Sequence, residues 1–191
     1  VSHFDHRYYG RFYGGSDAVH DAQQIAHLAT AVHGLCAWWG VEPRSVLDVG
    51  AGVGLWRDWY RREYPTVKVV SVDISEHACR TWGHQRRDIS TWSPRWPSDL
   101  VVCHGVLHYL DDDAADRAID NLARATRHVL YLEAPTTRDL REVVDTERTD
   151  MAVVGRSGRW YRTRLERHFR QAGAGLWVKP DSVVLYELES R

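Results

Sequence analysis

Val46-Leu47-Asp48-Val49-Gly50-Ala51-Gly52-Val53-Gly54-Leu55-Trp56 is the stretch from which the rest of the chain can be read. A short β-rich run, 45–49, ends in three alternating glycines, and a helix-patterned segment, 55–64, follows before Pro65. Glycine is needed in a strand-to-helix turn where a ligand comes so close to the backbone that a Cβ would collide. The helix behind it adds free N–H groups and the positive end of its dipole. The reading is a ligand-binding loop; the alternative is a plain turn with incidental glycines.

Working outward, the chain alternates strand and helix patterns. Upstream, residues 1–15 read as an irregular arm, and a helix begins at about 16, capped by Ser16 or Asp17. Its stripe is Ile25, Leu28, Ala29, Val32 and Leu35, and it ends near Gly40, before Pro43. Downstream, 67–72 is a second strand, Ser75 caps a helix over 76–82, and 85–87 is a barely visible strand. Residues 99–103 form a strand apolar on both faces, as parallel sheets require. A helix capped within 111–113 reaches about 126, and 128–132 is the next strand. Residues 161–172 read as a helix ended by Gly173. The tail reads as two strands, 175–178 and 182–188, joined by Lys179-Pro180-Asp181. This alternation predicts a doubly wound α/β fold, a mostly parallel sheet with helices on both faces and an antiparallel strand near one edge. Residues 1–191 are read as a single domain, with 1–40 as arm and helix and 41–191 as the α/β core.

The spacing of the loop narrows the ligand. A dinucleotide fingerprint would be GxGxxG. Here Gly50, Gly52 and Gly54 alternate, with Asp48 two residues before the first. That pattern resembles the first motif of class I S-adenosylmethionine-dependent methyltransferases. The resemblance implies that Asp48, Gly50, Gly52 and Gly54 bind the cofactor, the acid fixing the loop and the amino group. Asp73 ends the second strand nineteen residues after Gly54, where an acid can accept two hydrogen bonds from ribose hydroxyls; capping the next helix is its other reading. Ile74 follows it. Asp88 and Ile89 resemble the family's acid at the adenine amino group and the apolar residue beneath the ring. Residues 99–111, with Val106-Leu107-His108-Tyr109-Leu110-Asp111, resemble the fourth-strand segment of small-molecule methyltransferases. The likeness covers about 45–132 and implies seven strands in the order 3-2-1-4-5-7-6, strand 7 antiparallel. It implies S-adenosylmethionine as cofactor and O- or N-methylation of a small acceptor, with bacterial secondary metabolism as the setting. A non-catalytic cofactor-binding scaffold and a nicotinamide-dependent oxidoreductase are the rival readings.

His104 and His108 stand four apart after the fourth strand, and Glu133 follows the fifth. Each is a candidate acid or base, His104 also lies at the cofactor, and structural roles are the ordinary alternative. Paired histidines suit a metal, but no third ligand follows in sequence, so none is expected. The aromatic arm supplies Tyr9 and Tyr13 as candidate pocket residues, as lid or as linker. Trp160 and Tyr161 are candidates from the segment after the fifth strand. Six arginines between 156 and 170 read as a solvated helix face, one of them able to clamp a substrate carboxylate.

Bulk composition excludes several classes. The net charge of -1 gives no general pull toward nucleic acid, and the absence of an N/D-P-P-Y segment points the same way. Cys36, Cys79 and Cys103 are scattered and odd in number, as expected of reduced thiols in a cytoplasmic protein. No apolar run approaches the roughly 20 residues that span a bilayer. Lys68 and Lys179 are the only lysines among 25 basic residues, a bias toward arginine that suggests a GC-rich bacterial genome. Monomer and homodimer both remain open.

Overall fold

The strand that feeds the glycine loop lies in the middle of a seven-stranded sheet. A computed structural model describes residues 3–14 and 20–190. The strands are β1 (Ser45–Val49), β2 (Lys68–Asp73), β3 (Gln85–Arg86), β4 (Ser98–His104), β5 (Thr126–Glu133), β6 (Arg170–Gly173) and β7 (Leu176–Val178). Their order is β3-β2-β1-β4-β5-β7-β6, the order the resemblance implies. The pairs from β3 through β5 are parallel, and β7 runs antiparallel to both β5 and β6. The helices are α1 (His6–Phe12), α2 (Ala22–Trp38), α3 (Leu55–Glu63), α4 (Glu76–Trp82), α5 (Asp112–Ala125), α6 (Thr137–Glu142) and α7 (Gly158–Leu165).

Alternation along the strands splits the core in two. Leu47, Val49, Val101, Cys103, Leu130 and Leu132 pack with α5 and α7. Val46, Leu100, Val102, Val129 and Tyr131 pack with α2 and α3 on the opposite face. Burial on both faces is why β4 reads as an unbroken apolar run, and Leu100 through Cys103 are wholly buried. Two helix starts follow the sequence reading: Ser75 Oγ accepts from Ala78 N at 3.0 Å, and an Asp111 oxygen from Ala114 N at 2.8 Å.

Four expectations need correction. Part of the arm is helical: α1 is capped by Asp5, whose Oδ1 accepts from Arg7 N and Tyr8 N. Helix α2 starts at Ala22 with Asp21 and Gln24 forming a capping box, whereas Ser16 and Asp17 lie outside the described residues. The long helix over 161–172 is two elements, α7 and then β6. The hairpin sits earlier than expected. Its turn is Gly173-Ala174-Gly175, all at positive φ, while 182–188 forms no strand and leaves Val184 and Leu188 exposed.

The arginine-rich segment is not simply a solvated face. Arg156 is buried, donating to Leu107 O at 3.0 Å and Leu110 O at 2.5 Å, with its Nε on Asp112. Its guanidinium and that of Arg164 flank the Trp160 ring at 4.6 and 3.8 Å from the centroid. Arg156 therefore ties the loop after β4 to the chain before α7. Arg156→Ala is expected to cost about 3 kcal/mol, because one buried and one half-buried carbonyl lose a charged donor. Urea unfolding checks this; a loss under 1 kcal/mol would mean that water replaces the guanidinium.

Candidate functional site

The order of strands reverses between β1 and β4, and open α/β sheets bind ligands beyond the carboxyl ends of strands at such a switch. Period-two alternation selects what projects there. Asp48 is two residues beyond Val46, His104 two beyond Val102 and Glu133 two beyond Tyr131, so all three share the α2/α3 face. His104 and Glu133 are also register partners on adjacent strands. Their Nε2 and Oε2 atoms lie 2.6 Å apart.

Trp56, in the first turn of α3, completes this pair. Its indole Nε1 donates to His104 Nδ1 at 3.2 Å. Indole nitrogen is a donor only, so His104 carries its proton on Nε2 and gives it to Glu133. The ring thus has no uncommitted lone pair, which counts against His104 as a general base. His20, just before α2, brings a third candidate ligand: donor atoms of His20, His104 and Glu133 all lie within 4.8 Å of one another. A cation at His104 would need the Nε2 lone pair that the proton occupies. Burial pushes the Glu133 carboxyl up, but the opposing causes, led by the hydrogen bond from His104, outweigh it and hold it below its ordinary value. His108 is on a single 3-10 turn, Leu107–Tyr109, and is 6% exposed. Its Nδ1 has no partner, and burial lowers its pKa to about 4, so the ring is neutral near pH 7.

The three glycines of the loop serve different ends. At Gly50, with φ +69°, a Cβ would run into Val106 Cγ2, and at Gly54 into the Arg57 guanidinium. Those two glycines are required by the protein itself. At Gly52, with φ +56°, the nearest atoms to a Cβ are Gly50 O and Tyr9 Cε1, both at 3.9 Å, so this position alone borders open space. Gly52 is held on both sides of its peptide: its N–H donates to Asp73 Oδ2 at 2.9 Å, and its carbonyl meets His84 Nε2 at 3.0 Å. His84 Nδ1 in turn lies 2.9 Å from Ser71 Oγ and 3.2 Å from the buried Arg57. Asp73 Oδ1 accepts from Ser75 N at 2.7 Å, and burial, partly countered by these backbone donors, raises its carboxyl. Asp48 is 2% exposed, and its Oδ2 has no partner. Burial pushes its pKa up to about 7, with the Arg57 backbone opposing and the Asp73 charge assisting.

A cavity of about 540 Å³ opens beside these groups, lined by Asp48, Gly50, Gly52, His104, His108, Glu133 and Tyr13, among others. Eight expected site residues do not line it: Tyr9, Gly54, Asp73, Ile74, Asp88, Ile89, Trp160 and Tyr161. Trp160 is held between two arginines, and Tyr161 is buried in the core beside α5. Neither lines the cavity, which corrects their expected place in the acceptor pocket. Tyr9 packs on Trp82 at 5.0 Å and His77 at 5.6 Å, over the Gly52 corner. Gly54 is covered by Arg57. Beyond the glycine loop, Asp73 is buried, Ile74 is exposed, Asp88 Oδ1 accepts from Ser90 N and Oγ, and Ile89 lies in the core. The arm covers this region: Ser75 Oγ donates to Phe4 O at 2.6 Å, and the Tyr8 and Tyr109 hydroxyls meet at 2.9 Å. Trp56, His20 and His84 carried no signal that singled them out in the sequence.

An unpartnered buried carboxylate oxygen beside a glycine corner fits the cationic amino end of a cofactor. Comparison with known proteins agrees. Residues 20–177 match a methyltransferase domain family. The fold resembles an O-methyltransferase family protein from Burkholderia thailandensis, with 14% identity, 86% of this chain and 59% of that one covered, and TM-score 0.57. It resembles an S-adenosylmethionine-dependent methyltransferase from Clostridium acetobutylicum, with 14% identity, 86% and 85% covered, and TM-score 0.62. A third likeness is the N-methyltransferase NodS from Bradyrhizobium japonicum, with 16% identity, 91% and 97% covered, and TM-score 0.59. The chain spans about three fifths of the first of these. No curated sequence matches it. With the family matched over residues 20–177 and the strand order as implied, the chain belongs to the class I S-adenosylmethionine-dependent methyltransferases.

Proposed function

We propose that this chain transfers a methyl group from S-adenosylmethionine to a small organic acceptor bound between the glycine loop and the segment after β5. The observation that carries this is the buried Asp48 carboxylate, which lines the cavity and whose Oδ2 has no partner. When bound, the cofactor supplies an electrophilic methyl on a sulfonium sulfur. Asp48 would hold its amino group, Gly50 and Gly52 would receive its methionine part, and Asp73 its ribose hydroxyls. Ile74, Asp88 and Ile89 would meet the adenine. The role of the protein is chiefly alignment, where proximity supplies at most roughly 7–11 kcal/mol. Glu133 and His104 would lie beside the acceptor, and Trp56 and the contact between the two fix their geometry. A cavity of about 540 Å³ suits a small molecule. No helix among the described residues is long and apolar enough to cross a membrane.

Calorimetry with S-adenosylhomocysteine tests the cofactor half. Asp73→Ala is expected to weaken binding about 10- to 100-fold, from lost hydrogen bonds to a charged acceptor. Wild-type affinity in that variant would sink the ribose assignment. Turnover of an acceptor panel, read as S-adenosylhomocysteine formed, separates an enzyme from a cofactor-binding scaffold.

A further inference from the structure

The cavity is lined by Asp48 from the glycine loop and by Glu133, Asp139, Asp145 and Asp150 from β5 and the segment after it, and Arg148 is the one lysine or arginine among the described lining residues. Two of the lining residues carry a buried polar atom without a partner, Asp48 Oδ2 and His108 Nδ1. His108 is neutral and Glu133 anionic near pH 7, for the reasons given above. The hydroxyl-bearing rings of Tyr8, Tyr13 and Tyr109 border the same volume. Carboxylates beside aromatic faces favour an alkylammonium and repel a carboxylate or phosphate.

We propose that the acceptor is an amine, recognised as its ammonium form, with Glu133 the group against which its nitrogen is held. This rests on the methyl-transfer reading above. The ammonium gives one proton to water, and the neutral nitrogen uses its lone pair to bond the methyl carbon. The carbon–sulfur bond breaks, and its pair stays on sulfur. Positive charge leaves the sulfur and arrives on nitrogen, so a carboxylate fixed beside that nitrogen favours the later part of the path. The product leaves as the N-methylated ammonium, so each turnover releases the one proton already given to water. No protein base takes a proton during bond formation, which agrees with the commitment of His104 to Glu133 and Trp56. His104 and Trp56 are positioning residues.

The test uses 2-phenylethylamine and 2-phenylethanol as matched probes, titrated by calorimetry into protein loaded with S-adenosylhomocysteine at pH 7. The amine is expected to bind at least tenfold more tightly than the alcohol. Glu133→Gln removes most of that preference, and Glu133→Asp keeps part of it. In both variants affinity for S-adenosylhomocysteine stays within about threefold. With S-adenosylmethionine present, any N-methylated product is expected to form faster as pH rises toward the pKa of the amine. Equal binding, preference for the alcohol, binding of neither probe, or a preference that survives Glu133→Gln overturns the proposal. Failure of the wild-type chain to bind S-adenosylhomocysteine overturns the cofactor reading instead.

Discussion

Asp48→Asn is expected to stabilise the cofactor-free protein at pH 8 and to destroy cofactor binding in the same stroke. In the fold, burial raises this carboxyl from 3.8 to about 7. Below pH 3.8 it is protonated in both states and contributes no difference. As pH rises from 3.8 toward 7 the unfolded chain releases its proton while the folded one keeps it, so stability falls. Above about 7 the loss is complete, up to roughly 4 kcal/mol at 1.36 kcal/mol per unit. Asparagine removes the charge but buries an amide, so about 2 kcal/mol, or about 5 °C in melting temperature, is the expected gain at pH 8. Near pH 4, where the wild-type carboxyl is neutral in the fold, the buried amide is expected to leave the Asn variant about 2 kcal/mol the less stable, so the order of melting reverses between the two pH values. Binding moves the other way, because the ammonium of the cofactor loses its buried counter-charge. A loss on the order of 100- to 1000-fold is expected. Wild-type affinity should likewise fall about tenfold per unit below pH 7 as Asp48 takes up its proton. Calorimetry and thermal melts at both pH values decide this. An Asn variant that binds normally removes Asp48 from the site.

Gly52→Val should abolish measurable cofactor binding at a stability cost of about 1–3 kcal/mol. The cost is backbone strain, since φ at this position is +56° and a β-branched residue resists the left-handed region. The binding loss is steric, since the side chain would grow into the space between the loop and Tyr9. Gly50→Ala is the informative contrast. There the Cβ meets Val106 and not open space, so the fold suffers first, and Val106→Ala added to it should recover part of the melting temperature. If Gly52→Val unfolds the protein outright, or binds as before, the corner is structural and no ligand lies against it.

The sheet was legible because its signals are local and repeated: apolar strands, Ser75 and Asp111 at helix starts, glycines at a strand end. Asp48, His104 and Glu133 could be nominated since strand ends are where such folds bind ligands, and alternation then places them on one face. The state of His104 was not legible. It depends on the Trp56 indole, whose direction is set by the turn at Gly54, where φ is +87°. The closing hairpin was displaced for a similar reason. Arg170 and Gln171 carry no strong strand signal, and the turn that makes them a strand includes Ala174, a non-glycine residue at φ 48°. Trp160 and Tyr161 show the limit of composition. Adjacent aromatic residues took opposite fates, one between arginines and one in the core, through helix rotation that only packing decides.

The strap formed by α1 sets a toll on entry. Among the described residues its polar ties include Ser75 to Phe4, Tyr8 to Tyr109, and His3 Nε2 to Asp150 at 2.6 Å, the last with the His3 side chain 47% exposed. If these and the ring contacts hold the strap down by a net of about 2 kcal/mol, the chain spends roughly 3% of its time ajar, and apparent cofactor affinity falls about 30-fold below the intrinsic value. The same ties, once re-formed over a bound cofactor, lengthen its stay. A chain lacking residues 3–12 would therefore load quickly and hold poorly, the strap governing residence time as well as apparent affinity.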